Sequence, residues 1–350
     1  MSTSERPGVY ASYEVSGVSY SGTGGGTAGA AAAAASGTAG QVYDVTSYAA
    51  AEAAFGSGSA LTELCRILIK NGVSAVKAVP VTAASPAASD YSAAFTALAA
   101  CADVRTIVCD SRDAAVHAAL KNAIESADER CRHKIGFVEG SGAVSGLIAA
   151  AAALNSERMV MVAPAGLAED GSAAVAGALA AAVSAAAAAQ TDPALPLNGA
   201  ALYGLGGVTA SYSDSDITLL VRGGVTPVEC LSGGVSVVRG ITTRTTTNGA
   251  ADATYRELTT IMIIDDVIPD VRDALQASFS RTKNTARTRG AIRTRVLVEL
   301  EKKLAAEIID GYGAVTAAVS SSDPTVCDVS FEFTVAHGLN RIRLTAYITV

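Results

Sequence analysis

From Val42 to about Ala165 the chain switches repeatedly between two hydrophobic periods, and no other property limits its fold so tightly. Segments with helical spacing at 49–55, 61–70, 91–102, 113–130 and 143–154 alternate with short apolar runs at 73–81, 104–109, 134–138 and 159–163. Strands separated by helices of this kind predict a parallel-type sheet with helices on its faces. Asn71-Gly72 places glycine just past the end of the second helix, and Asp113 opens the fourth. A break follows the last strand. Residues 173–190 read as an alanine-rich helix, which Thr191-Asp192-Pro193-Ala194-Leu195-Pro196 ends as a linker. Beyond about residue 211 the pattern becomes a helix with a strand, then one long charged helix. Two strands close the chain, Asp328 to Val335 and Arg341 to Val350, with His337-Gly338 at the turn. The expected fold class is α/β with two domains: an α/β domain over 22–210 and an α+β domain over 211–336. Strand-like ends flank them at 1–21 and 337–350.

Both ends alternate as half-buried strands do. After Pro7-Gly8, Val9, Ala11, Tyr13 and Val15 share one face, with Tyr10 on the other; near the C-terminus Ile342, Leu344, Ala346 and Ile348 share a face. Most domains end loosely, so a strand-like end is expected to be paired, either within its own sheet or with neighbouring copies by strand addition. Gly22, Gly24, Gly25 and Gly26 lie in a run whose composition reads as a flexible hinge.

Composition narrows the function classes. Half of the 350 residues are hydrophobic, but alanine dominates that half; aromatic residues are 5% and tryptophan is absent. The chain is poor in the large anchors that usually build small-molecule pockets. A net charge of −7 gives no support to general nucleic-acid binding. The opening Met1-Ser2-Thr3-Ser4-Glu5-Arg6 is polar and does not read as a secretory signal, and the alanine-rich stretch after 173 predicts a buried helix rather than a membrane span. Six cysteines (Cys65, Cys101, Cys109, Cys131, Cys230 and Cys327) lie far apart without a C-x-x-C pair. They predict reduced, mostly buried thiols of a cytoplasmic protein, with no disulfide and no zinc site.

No motif carries catalytic chemistry. Gly24-x-Gly26-x-x-Gly29 matches the dinucleotide pattern by letter but lacks a clear apolar strand before it, and no G-x-x-x-x-G-K-[ST] sequence occurs. No cofactor and no metal are expected. His117, His133 and His337 do not cluster in sequence; the first two are expected as surface or helix-capping residues. Ser145 misses the G-x-S-x-G pattern by one position. One charge feature is more specific: Arg281, Lys283, Arg287, Arg289, Arg293 and Arg295 place six cations in fifteen residues with no acid among them. The run is either a solvated helix face or a surface that docks an acidic partner.

The order of several short segments resembles that of contractile tail sheath proteins. Arg6-Pro7-Gly8-Val9-Tyr10 resembles the family's N-terminal segment, and Val45-Thr46-Ser47 with Glu52 and Phe55-Gly56 an early element. Ile217 to Pro227 resembles a helix and turn of the family, Val235 to Thr245 the strand that follows, and Leu339 to Val350 the C-terminal arm. This resemblance implies a two-domain structural subunit, not an enzyme. In such sheaths the N- and C-terminal arms add strands to neighbouring subunits, so the strand-like residues named at both ends would be inter-subunit strands and the glycine run their hinge. It further implies a helical or ring-stacked homo-oligomer around an inner tube, with the cations 281–295 facing that tube. Baseplate and terminator proteins would be further partners, and a virion or phage-tail-like particle assembled in the bacterial cytoplasm the location. Two other readings stay open on the residues themselves. One is a cytoplasmic α/β enzyme with a nucleotide site at Gly24 to Gly29. The other is a different self-assembling particle protein, such as a tube or shell subunit.

Overall fold

Alanine builds an interior strand of the main sheet. The computed structural model describes residues 25–81, 86–129, 132–231, 234–279 and 281–340. Its first strand, β1 (Thr27–Ala33), has Ala28, Ala30, Ala31 and Ala32 fully buried. Along the chain follow β2 (Tyr43–Val45), α1 (Tyr48–Phe55), α2 (Ala60–Lys70), β3 (Ala75–Val81), α3 (Ala88–Ala100), β4 (Val104–Cys109), α4 (Ala114–Asp128), β5 (Ile135–Glu139), α5 (Val144–Leu154) and β6 (Met159–Ala163). After the two-residue β7 (Gly166–Leu167) come α6 (Ala178–Ala189), β8 (Ala201–Leu202), β9 (Gly207–Val208), α7 (Asp214–Arg222), β10 (Val225–Leu231) and β11 (Gly234–Val237).

Nine of these strands form one sheet in the order β2-β3-β1-β4-β5-β6-β10-β11-β8. The run from β3 to β10 is parallel; β2, β11 and β8 join as antiparallel edges. Period-two alternation divides the side chains between two cores. Ala28, Ala30 and Ala32 face α2 and α6 with Val76, Phe137 and Val160, while Ala31 faces α3 with Val79, Ile107 and Met161. α6 carries almost nothing larger than alanine and is buried nearly all round. Its small side chains let helix, sheet and α2 approach closely. Among the described residues no helix is long and apolar enough to cross a membrane.

The smaller unit begins where α8 (Leu258–Phe279) leaves the sheet, past a short hairpin of β12 (Thr246–Thr247) and β13 (Ala250–Ala251). Leu258 and Ile261 of α8 belong to the large core, whereas Ile263, Val267 and Val271 belong to a separate one. That second core is completed by Val296 and Leu300 of α9 (Ala286–Ala305), by Ile309 of β14 (Ile309–Tyr312) and by Val315. β15 (Thr316–Val319), β16 (Cys327–Ser330) and β17 (Phe333–Val335) follow; β14 pairs with β17 and β15 with β16, both antiparallel.

Several expectations are corrected. The alternation of helix and strand starts before Val42: the glycine- and alanine-rich stretch holds β1, made a strand by burial on both faces rather than by its weak β-propensity. The segment after residue 210 does not open a new domain, because β10 and β11 extend the main sheet. The single long charged helix is two helices, with Thr285 capping the second through the Thr288 amide at 3.2 Å. The strand expected over Asp328 to Val335 is broken into β16 and β17, with Phe331 stacked on Phe333. Cys65 and Cys109 are buried and their thiols pushed up to about 12 by desolvation, but Cys230 is exposed.

Candidate assembly surfaces

The crevice at the carboxyl ends of β1 and β4, where strand order reverses, is the usual ligand position in open α/β sheets. Here the chain fills it. Asp110, just past β4, accepts the Ala33 amide at 2.8 Å and the Tyr91 hydroxyl at 2.6 Å. The fully buried Glu139 accepts the Leu179 amide at 2.9 Å, at the start of α6, and Arg112 Nε at 2.9 Å. Burial pushes both carboxyls up; Arg112 pulls Glu139 part of the way back. Gly177, at φ +81°, lets α6 begin against β4: a Cβ there would stand 2.0 Å from the Cys109 carbonyl oxygen.

Of the Gly24-x-Gly26-x-x-Gly29 pattern, the last two glycines are closely packed rather than open to a phosphate. Gly29 lies inside β1, and a Cβ on Gly26 would meet the Ala188 carbonyl oxygen at 2.0 Å. Gly25 and Gly26 are thus packed against the end of α6, while Gly22 and Gly24 lie outside the described residues. His117, expected at the surface or as a cap, is instead buried, its Nε2 2.9 Å from the Ser111 carbonyl oxygen. Desolvation holds its pKa below the ordinary value, so it is a neutral packing residue. Among the described residues no group of three or more His, Cys, Asp or Glu side chains is placed to hold a metal ion.

The basic run lies in the smaller unit. Arg281 and Lys283 are on the loop before α9; Arg287, Arg289, Arg293 and Arg295 are in its first half. Arg289 donates to Asn284 Oδ1 at 3.0 Å, and Asn284 donates in turn to the carbonyls of Pro324 and Val326, bracing the β15–β16 turn. Arg295 pairs with Glu299 at 3.0 Å. Arg281, Lys283, Arg287 and Arg293 are exposed. Arg289 and Arg293 line an open groove of about 320 Å³ with Ala286, Gly290 and residues 315–317. Cations in the first turns of a helix oppose its dipole by a few tenths of a kcal/mol each. Local helix stability therefore does not account for them.

Among the described residues, two ribbons of the same unit have unpaired edges. β14–β17 and β15–β16 are each two-stranded among the described residues, and β15 and β16 are half-buried at best. Two-stranded ribbons are marginal alone, and open edges invite another strand. The residues read as arm strands, Val9, Tyr10, Ala11, Tyr13, Val15, Ile342, Leu344, Ala346 and Ile348, lie outside the described residues.

One site escaped the sequence reading. Arg158, 7% exposed, precedes β6 and reaches α8: its guanidinium nitrogens sit 2.8 Å from each Asp265 carboxylate oxygen, and its Nε sits 2.8 Å from Asp128 of α4. His133 joins through Asp128. This clamp ties the smaller unit to the larger one where α8 passes between the two cores. No local pattern marks Arg158, since its partners lie 30 and 107 positions away.

A filled crevice, strand edges left open among the described residues and a cationic run are features of an assembly subunit. The relatives agree. Residues 84–243 match the phage tail sheath protein central domain and residues 250–349 the phage tail sheath C-terminal domain, together about three quarters of the chain. The chain belongs to the phage tail sheath family: it is a structural component of a phage tail or phage-tail-like particle, not an enzyme. It is 27% identical over 256 residues to the tail sheath protein of Bacillus phage SP01, an alignment that spans 70% of this chain and 43% of that longer relative. A chain in the baseplate of the anti-feeding prophage superposes with a TM-score of 0.73 at 14% identity, over 99% of this chain and 100% of that one. A chain of the same particle's helical sheath in its contracted state gives 0.69 at 15% identity, over 99% of each.

Proposed function

We propose that the chain is the subunit of a contractile sheath that polymerises as a helical sleeve around an inner tube and contracts to drive that tube through a target envelope. The observation that carries this reading is the pair of open two-stranded ribbons in the smaller unit, set beside strand-like sequences at both ends of the chain. Strand addition by a neighbour completes each ribbon with main-chain hydrogen bonds, which depend little on side-chain identity and survive rigid-body movement. Residues 9–15 and 342–348 are the strands donated, and Gly22 and Gly24, ahead of the packed Gly25 and Gly26, give the donated N-terminal arm its freedom. The cations 281–295 face the tube; exposed charge contacts are weak singly and are released in sequence as the sleeve shortens. Baseplate and terminator proteins cap the sleeve, and the particle is assembled in the bacterial cytoplasm. The relative in a contracted helical sheath supports this function, and the one in a baseplate supports that partner.

Deleting residues 341–350 tests the reading. The truncated subunit is expected to keep the circular dichroism and thermal midpoint of the full chain yet form no sleeves in negative-stain electron micrographs. Sleeves of normal appearance from the truncated chain would refute strand donation.

A further inference from the structure

Both ends of the described chain meet the body at one place. Gly25 and Gly26 pack against the backbone of Ala188 and Ala189, where α6 ends, and the linker 190–198 starts there. At the other end, Asn340 accepts a hydrogen bond from Asn198 Nδ2 at 2.6 Å, and Gly338 abuts Pro196, where a Cβ would come within 2.8 Å. The linker is itself stitched to both units: Leu197 is buried in the large core and Ala194 packs on the small one. Between these anchors two leucines remain in water. Leu195 is 56% and Leu339 72% exposed, the latter the most exposed of the large apolar side chains among the described residues.

We infer that the patch formed by Leu195, Pro196 and Leu339 is a contact surface for a second copy of this chain, seated where both arms leave the body. The inference rests on the sheath reading and adds the place where a neighbour grips. Three observations favour a second copy over other occupants. Leu195, Pro196 and Leu339 are all uncharged, so the patch does not fit the acidic partner that the cationic run fits. Twenty-four residues precede Gly25 and ten follow Asn340. Fully extended these span up to about 80 Å and about 33 Å, against a radius of gyration near 20 Å for a body of this size, which is ample to engage a neighbour beside this exit. Finally, a copy docked on the linker touches the segment packed on both cores, beside the contacts of Gly26 and Asn340, so pull on either arm is shared with its neighbour.

A photo-activated cross-linking residue placed at 195 or at 339 of the full-length chain tests this, with position 219 as control because Leu219 is also exposed, at 51%, on α7. On irradiation at polymerising concentration, positions 195 and 339 are expected to give a covalent dimer of this chain at least about tenfold more abundant than the control. A dimer yield equal to that at 219, or adducts with other proteins only, overturns the proposal. The double variant Leu195→Asp/Leu339→Asp gives a second readout: its thermal midpoint is expected to stay within about two degrees, since both side chains are exposed, while pelletable polymer falls about tenfold. Unchanged polymer would also overturn it. Removing residues 1–20 separates the two readings. If that truncation polymerises normally, strand donation by the N-terminal arm fails whatever the cross-links show; if it abolishes polymer while the leucine variants do not, only the patch fails.

Discussion

Replacing Arg158 by methionine removes one charged group and little volume, and the structure sets the size of the effect. The guanidinium makes two 2.8 Å contacts to Asp265 and one to Asp128, from a side chain only 8% exposed. Asp265 is itself largely buried, 18% exposed. Breaking a buried pair by removing one partner leaves an uncompensated charge and costs about 3–5 kcal/mol. Asp265 lies near the full value, whereas Asp128 is more open and adds little, so a loss of about 3–4 kcal/mol is expected. Urea unfolding followed by circular dichroism reads it, the chain having no tryptophan. The double variant Arg158→Met/Asp265→Leu is expected to regain most of the loss, because it buries no unpaired charge. The dependence on pH has a definite sign. Burial already holds the Asp265 carboxyl above its ordinary 3.8, against the pull of Arg158. Without Arg158 the carboxyl rises further, so the penalty is largest near pH 7 and shrinks as pH falls through the raised value and a proton takes over the role of the cation. A loss under about 1 kcal/mol, or one that stays flat from about pH 7 to about pH 4, would show that the clamp does not hold the units together.

Glu139→Gln keeps an acceptor for the Leu179 amide but cannot ionise. The wild-type carboxyl is raised above 4.5, so its contribution to stability is full below that value and lost as pH rises through the folded-state pKa; the variant is expected to lose less over the same window, and an identical pH profile would contradict the burial argument. Gly177→Ala and Gly171→Ala separate packing from backbone conformation. Both glycines have positive φ, but only Gly177 faces a carbonyl 2.0 Å from a built Cβ, so about 3 kcal/mol or more is expected there against about 1 at Gly171, and equal losses would refute the close approach of α6. Reversing the exposed Arg287 and Arg293 to Glu is expected to leave thermal stability nearly unchanged while docking to the tube weakens; unchanged docking affinity removes the cationic-face argument.

Local periodicity is enough to define several elements of the larger unit. Helices at 60–70 and 144–154 and strands at 104–109 and 159–163 fall within a residue of their expected bounds, because their signals are periodic burial within one segment. Serine caps confirm the mechanism: Ser47 and Ser59 take amides of their own first turns. The cations 281–295 were legible as a run, although the sequence did not show that Asn284 and Thr285 break it between loop and helix. The clamp at Arg158 and the filled crevice at Glu139 and Asp110 were not legible, since each joins residues separated by tens of positions.

By itself the sequence determined the alternation of helix and strand in the larger unit, the absence of a recognisable catalytic motif and the cationic segment. All three rest on side-chain chemistry within a few residues. The tertiary structure alone decided that Thr27–Ala33 is an interior strand of the sheet, that β10 and β11 extend that sheet past residue 210, and that α8 is shared between two cores. An alanine run has no strong preference of its own. What makes it a strand is the two layers of helix that cover it, and those layers exist only once the chain has folded.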